Sequence, residues 1–426
     1  MRFQNLDEWL DWQSTLHPAE IELGLERVSV VWRRLHPTGL TSKVITIAGT
    51  NGKGSNAAML ETIYLQAGYR VGLYTSPHLI RYNERIRTNG AEVSDAALCA
   101  AFENVDQARN GISLTYFEFG TLAALDIFAA DPPDLIILEV GLGGRLDAVN
   151  IIDPDLAIIT TVDLDHTDWL GETREQIGLE KAGIMRAGRP VILGAPSMPG
   201  TVLQQAADLG AQCFQFGRDF RIEPHAEGFS WHGQHHQQRF NTRPSLLGDF
   251  QLQNAASVLM AVECLSDCLP VRQAAIEQAM KTSRLKGRLQ IIEGDIPIIL
   301  DVAHNPQAVM ALRDNLPEYL DEIRLHAVFG LLSDKDVESI IDIIGPSIES
   351  WHLVGIESER GQSAAQLQAC LEAAGIERII GSYDSVAKAL NSARSTAEPG
   401  DAVLVFGSFV IVGEALGMLE KPGQLS

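Results

Sequence analysis

The stretch Gly49-Thr50-Asn51-Gly52-Lys53-Gly54-Ser55 constrains the fold of this chain more than any other. The apolar run Val44-Ile45-Thr46-Ile47-Ala48 leads into it, and Asn56 to Ala67 follows with helical periodicity up to Gly68. Strand, glycine loop, helix is the setting in which backbone N–H groups and a helix N-terminus cradle phosphates. Glycine lets the backbone approach an anion closely, and Lys53 adds a mobile positive charge. The spacing departs from G-x-x-x-x-G-K-[ST]: Ile47 stands at the first glycine position, and Gly54 separates Lys53 from Ser55. An ordinary glycine-rich turn is the bland alternative. Gly-Lys-Gly-Ser closing a β-run is far more specific, and it points to a nucleotide-phosphate site.

Around that loop, β-like runs at 44–48, 71–75, 135–140, 156–162 and 190–193 alternate with helical patterns. Near-continuous apolar strands separated by helices imply a parallel sheet covered on both faces. Asp7 to His36 reads as helical with a break around Leu23-Gly24, and 213–247 reads as polar hairpins or loops. Leu252 to Leu265 and Val271 to Met280 read as helices. The pattern resets around Lys286-Gly287-Arg288, and a second alternation follows at 296–300, 325–329, 351–354, 378–380 and 402–406. A chain of 426 residues is too long for one ordinary core, so two domains are expected. The expected fold class is α/β: a P-loop-type, mostly parallel-sheet ATPase domain over 1–285 and a smaller Rossmann-like α/β domain over 286–426.

Composition narrows the function. A net charge of -22 argues against nucleic acid as a partner, because phosphate backbones call for clustered Lys and Arg. An anionic substrate would have to be drawn in by local cations against that field. No apolar run reaches the ~18 residues needed to span a bilayer. Met1 to Trp12 is acidic and lacks the order of a signal peptide. The five cysteines form no paired framework, and Cys264 and Cys268 read as buried thiols. The expected compartment is reducing cytoplasm.

Ligands of open α/β sheets gather at the carboxyl ends of strands. Thr75-Ser76-Pro77-His78, Glu139 to Asp147 and Asp163 to Asp168 fall at such ends. A hydroxyl (Ser76), a carboxylate (Glu139) and an imidazole (His166) there make a plausible hard-cation set for Mg²⁺ beside phosphates. Singly, Ser76 reads as a turn residue, His166 as a satisfied loop histidine, and Glu139 as a partner of Arg145. Lys181, in a helix starting near Thr173, reads as solvated surface charge. His225, His232, His235 and His236 read as a polar hairpin rather than a metal site. In the second half, Asp301 to Pro306, Gly330 to Asp336 and Gly407 to Phe409 also follow apolar strands. Polar strand ends in both halves point to an active site in a cleft, although single Asp, His and Asn residues there are as often helix caps.

Taken together, Thr46 to Ser55, Tyr74 to His78, Glu139 to Asp147, Asp165-His166-Thr167, Glu180 to Ile184 and Asp301 to Pro306 resemble the folylpolyglutamate synthase/dihydrofolate synthase family of the Mur ligase superfamily. The likeness runs in order from about Leu23 to Phe409. Glu22 to Val28 and Thr115 to Glu118 resemble the pterin-binding segments of the bacterial bifunctional enzymes. Val149 stands where many relatives have Thr, and Val410 follows Gly-Ser-Phe where relatives often differ; neither is an expected ligand.

The resemblance implies ATP-dependent joining of L-glutamate to dihydropteroate and to reduced folyl mono- or oligoglutamates through an acyl phosphate. It implies that Thr50, Asn51, Gly52, Lys53, Gly54 and Ser55 hold ATP phosphates, with Asn254, Arg288 and Asp301 as further ATP contacts. Ser76, Glu139 and His166 would ligate two Mg²⁺ ions, and Lys181 would be carbamylated. His304 would stand near the transfer site. Glu22, Leu23 and Gly24, Thr115, Tyr116, Phe117 and Glu118, and Leu146, Asp147 and Ala148 would line the pteroate pocket, with Phe117 stacking on the pterin. The expected partners are these small molecules alone, bound by a monomer, with no nucleic acid and no membrane. A monofunctional folylpolyglutamate synthase, a Mur-type ligase for another acid, and a nucleotide-binding module without turnover stand as alternatives.

Overall fold

The apolar runs become parallel strands because helices cover both of their faces. In the computed structural model, which describes residues 2–316, 323–358 and 360–420, the chain divides into two units. The first takes residues up to Pro77, Tyr82–Ser245 and Leu252–Arg284. The second takes His78–Arg81, Leu246–Gln251 and the chain from Leu285.

The strands of the first sheet are β1 Lys43–Ala48, β2 Val71–Tyr74, β3 Ile86–Thr88, β4 Ala91–Glu92, β5 Leu135–Glu139, β6 Leu156–Ile159, β7 Pro190–Leu193 and β8 Gln212–Gln215. Their order is β4-β3-β2-β5-β1-β6-β7-β8. Pairing is parallel from β2 across to β8 and antiparallel only at the edge, where β3 pairs with β2 and β4 with β3. β1 lies between β5 and β6, with connections running first to one side and then to the other. That is the place where open α/β sheets collect ligands.

The helices of this unit are α1 Leu6–Leu16, α2 Glu26–Leu35, α3 Lys53–Gln66, α4 Asp95–Arg109, α5 Tyr116–Ala130, α6 Thr167–Leu170, α7 Arg174–Ala182, α8 Gly200–Leu209, α9 Phe250–Cys264 (in this unit from Leu252 on) and α10 Gln273–Thr282. α1, α4 and α5 meet through Trp9, Phe102 and Phe119, with ring centroids 5.9 Å and 5.7 Å apart along that chain of contacts. Each such buried ring contributes roughly 1.5–3 kcal/mol.

Two expectations need correction here. Residues 212–215 join the main sheet as β8, and the separate antiparallel sheet begins later, with β9 Arg221–Pro224, β10 Phe229–His232 and β11 Gln237–Phe240. Phe229 stacks on Phe240 there at 4.6 Å, an apolar pairing that the surrounding His and Gln residues hid. Neither thiol is fully buried: Cys264, the last residue of α9, is half-buried, and Cys268 is exposed because it falls on the turn beyond the helix.

The second sheet contains β12 Gln290–Ile292, β13 Ile298–Asp301, β14 Leu325–Phe329, β15 Ile348–Val354, β16 Ile379–Tyr383 and β17 Ala402–Phe406. Its order is β12-β13-β17-β14-β15-β16, parallel except at β12. The helices are α11 Pro306–Asp314, α12 Val337–Ile344, α13 Ala364–Ala373, α14 Val386–Thr396 and α15 Phe409–Leu419. The period-two pleat divides the strand residues between two cores. Leu404 and Phe406 join Phe329 and Trp351 on one face, and Val403 and Val405 join Ile298 and Leu300 on the other.

Candidate functional site

β1 ends at Ala48, and α3 begins at Lys53, three residues before the point its periodicity marks. Lys53, Gly54 and Ser55 therefore form its first turn, where N–H groups have no intrahelical carbonyl to bond. The first intrahelical bond runs from Asn56 N to Gly52 O at 3.0 Å. Two glycines make the turn possible. A Cβ on Gly49 would fall 1.8 Å from Thr160 Oγ1, and Gly52 has φ +89 with a Cβ position 2.7 Å from Asn254 Oδ1. Lys53 Nζ donates to Gly49 O at 3.0 Å and to Thr50 O at 3.4 Å, so the ammonium folds over its own loop.

The end of β6 braces this loop. Thr160 Oγ1 donates to Asn51 O at 2.6 Å, Asn51 N donates to Thr161 Oγ1 at 3.1 Å, and Thr50 N donates to Thr161 O at 2.9 Å. From α9, Asn254 Oδ1 accepts from Asn56 Nδ2 at 3.0 Å. Sequence reasoning missed Thr160 and Thr161, although paired hydroxyls closing a β-run were the available signal.

On the other side of β1, Glu139 closes β5 and is buried, and Ser76 N donates to its Oε2 at 3.4 Å. His166 opens α6 with a left-handed backbone, φ 51, and its Nε2 lies 3.9 Å from Asp165 Oδ1. Among the described residues, no group of three or more His, Cys, Asp or Glu is gathered to hold a metal, the histidines of β10 and its turn included. Ser76 and Glu139 are brought together, and a cation held by them and by His166 would complete its shell with water or phosphate oxygens. The hydroxyl, carboxylate and imidazole donors suit a hard divalent ion used that way.

The loop after β5 folds around Asp147, which is buried and accepts from Leu142 N at 2.8 Å and Val149 N at 3.0 Å. Burial pushes its carboxyl up to about 6 against the pull of these N–H groups and Lys53. The solvated reading of Lys181 is wrong: the residue is 4% exposed, on the inward side of α7. Burial, and then the charge of Lys53, hold its amine down at about 7, while Asp165 and Asp147 act the other way. Close packing puts it there. Arg145 N donates to Glu180 O at 2.8 Å, and a Cβ on Gly144 would stand 3.2 Å from Lys181 Cα. The Arg145 guanidinium goes to Glu180 at 2.8 Å, not to Glu139.

Glu22, Leu23 and Gly24 lie in the non-helical stretch between α1 and α2. Glu22 is held by Arg27 and by His17 Nε2, the latter at 2.7 Å. Thr115 and Glu118 form a capping box at the start of α5, a structural use of the motif that sequence reading overlooked. Phe117 lies against Gly141, where a Cβ would come within 2.6 Å of its ring, and its centroid is 6.0 Å from that of Tyr74. Tyr116 and Leu146 are half-buried, and Ala148 is buried.

Within the second unit, Asp301 ends β13 and accepts from Leu289 N at 2.7 Å and Ala303 N at 2.8 Å. Burial raises its carboxyl, against the neighbouring Arg288 guanidinium. That guanidinium lies 5.7 Å over the Phe409 ring, and the His304 ring is 5.9 Å from the same phenyl. His304 Nδ1 is 2.7 Å from Val302 O, so it is the protonated nitrogen, since a carbonyl only accepts. For Asn305, Asp336 and Ser408 the capping alternative holds: they cap α11, α12 and α15.

The family model of the Mur ligase middle domain matches residues 47–262, and that of the Mur ligase, glutamate ligase domain matches 287–409. The dihydrofolate synthase/folylpolyglutamate synthase of Escherichia coli (strain K12) is 42% identical over 418 residues, covering 97% of this chain and 96% of that protein. A solved structure of E. coli FolC in complex with DHPP and ADP superimposes with a TM-score of 0.91 at 40% identity, covering 98% of each chain. A bifunctional folylpolyglutamate synthase/dihydrofolate synthase solved with Mn, AMPPNP and L-glutamate bound gives 0.90 at 41% identity over 98% of each chain. The glycine loop, the strand-end acids and both α/β units therefore sit in a known framework: this chain belongs to the dihydrofolate synthase/folylpolyglutamate synthase family of Mur ligases.

Proposed function

We propose that the chain is an ATP-dependent ligase that joins L-glutamate to dihydropteroate, and to reduced folyl mono- or oligoglutamates. The acceptor carboxylate attacks the γ-phosphorus of ATP and ADP leaves, giving an acyl phosphate. The glutamate amine then attacks the acyl carbon. The tetrahedral intermediate collapses with loss of phosphate and a proton, leaving the amide. Carboxylate is a poor electrophile, and phosphorylation supplies its leaving group. Most of the protein's work is alignment and charge neutralisation.

In this reading, residues 1–285 bind ATP and the pterin, and residues 286–426 form the ligase domain of a cytoplasmic monomer. Thr50, Asn51, Gly52, Lys53, Gly54 and Ser55 cradle the phosphates, and Asn254, Arg288 and Asp301 contact the nucleotide. Ser76, Glu139 and His166 hold two divalent ions; when bound, these neutralise phosphate charge. Lys181, partly uncharged at neutral pH, adds to CO₂ and loses a proton to become a carbamate. Glu22 to Gly24, Thr115 to Glu118 and Leu146 to Ala148 take the pteroate, with Phe117 stacking on the pterin, and His304 stands near the transfer.

One observation carries the reading: Lys53 folds over the glycine loop after β1, and the loop after β5 packs against buried Lys181, whose amine feels the Lys53 charge. The nucleotides, manganese, DHPP and glutamate named with the solved relatives are of the same ligand classes. Purified protein given ATP, Mg²⁺, L-glutamate and dihydropteroate should release ADP and phosphate and form dihydrofolate. No acceptor-dependent ADP release with any pteroate or folate rejects the proposal. Activity with folyl acceptors alone selects the monofunctional form. Short carboxylic acids should partly restore Lys181→Ala if the carbamate operates.

A further inference from the structure

Arg27, in the first turn of α2, reaches two segments that are distant in sequence. Nη1 donates to Glu22 Oε1, while Nη2 donates to Glu22 O at 3.1 Å and to Glu118 Oε1 at 3.1 Å. Glu118 is buried, and its other oxygen accepts from Thr115 N at 2.8 Å. The second Glu22 oxygen is 2.7 Å from His17 Nε2, and His17 Nδ1 is 2.7 Å from Ser113 Oγ, two residues before α5's cap. One planar cation thus ties the Glu22–Gly24 stretch to the opening turn of α5.

We propose that Arg27 is a positioning residue for the acceptor. It fixes the gap between two segments that would embrace the pteroate, and so governs acceptor affinity without acting on the nucleotide. The inference rests on the pteroate pocket proposed above. The stretch from 17 to 25 has no helix or strand to hold it, and Gly24 adds backbone freedom. Without the fork it would sample many arrangements, and the acceptor would have to reorder it on binding. A lysine keeps the charge but cannot grip both carboxylates in a fixed plane.

The test compares wild type with R27K and R27A, measuring KM for dihydropteroate and for ATP in acceptor-dependent ADP release, with thermal melting as a fold check. R27K should raise the acceptor KM about tenfold while the ATP KM stays within about twofold. R27A should raise the acceptor KM further. R27A leaves Glu118 buried without its cation, so if it does not fold, R27K alone decides. An active wild type whose R27K variant keeps its acceptor KM, or raises both KM values together, overturns the inference alone. A wild type inactive with every pteroate and folate overturns the acceptor assignment and this inference with it.

Discussion

The charge of Lys53 acts on the buried amine of Lys181 and, after burial itself, is what holds that amine down at about 7. An ordinary lysine is uncharged at neutral pH on the order of one time in 10³, whereas this one is near the midpoint of its titration. Only the uncharged amine adds to CO₂. A carbamate signal from ¹³C-bicarbonate should therefore grow as pH rises through about 7. Lys53→Ala removes the like charge, so the same signal should emerge at higher pH. It should also cut turnover about 10³-fold, the scale of losing a preorganised charge contact. An unshifted midpoint would mean the two amines are uncoupled.

Burying Lys181 costs stability while it is charged. Its folded value of about 7 lies below the ordinary 10.5, so the unfolded chain binds more protons between those values. The cost is full below about 7 and fades as pH rises toward 10.5. Lys181→Met should melt higher than wild type at pH 6. Its advantage should shrink by roughly 1 kcal/mol per pH unit above neutrality. A pH-independent difference would place Lys181 in contact with water.

Gly49→Ala drives a methyl into Thr160 Oγ1 at a backbone angle that favours glycine. The expected loss is about 1–3 kcal/mol of stability, with nucleotide affinity falling as the loop is displaced. Gly188 offers the control, because its φ of +68 is also left-handed but nothing lies within 4 Å of its Cβ position. Gly188→Ala should therefore cost stability alone. Melting curves and ADP titration of both variants check this, and equal loss of ADP affinity would refute it.

In the second unit, His352 sits between Ser350 and Ser392, with nitrogen–oxygen distances of 3.2 Å and 3.1 Å. Burial, and then His326, hold it down at about 4 from an ordinary 6.5. Stability from a neutral His352 is present above 6.5 and is lost as pH falls through about 4. His352→Gln should flatten the acid limb of the denaturation midpoint across that window by roughly 1 kcal/mol per pH unit. An unchanged limb would assign acid sensitivity elsewhere.

Linear sequence determined the parts that depend on neighbours in the chain. The apolar runs with intervening helical periods dictate buried parallel strands, and Gly-Lys-Gly-Ser after β1 dictates a tight glycine turn into α3 without reference to anything distant. Tertiary structure alone decided what each polar side chain meets. Nothing near Lys181 in sequence reveals that Gly144 lets a loop some forty residues upstream press against α7 and exclude water from its amine. Thr160 and Thr161 look like strand residues until β6 lies beside β1 and their hydroxyls reach Asn51. The physical reason is the same in each case: propensity and pattern act over a few residues, whereas burial and charge coupling depend on distances that only the folded chain sets.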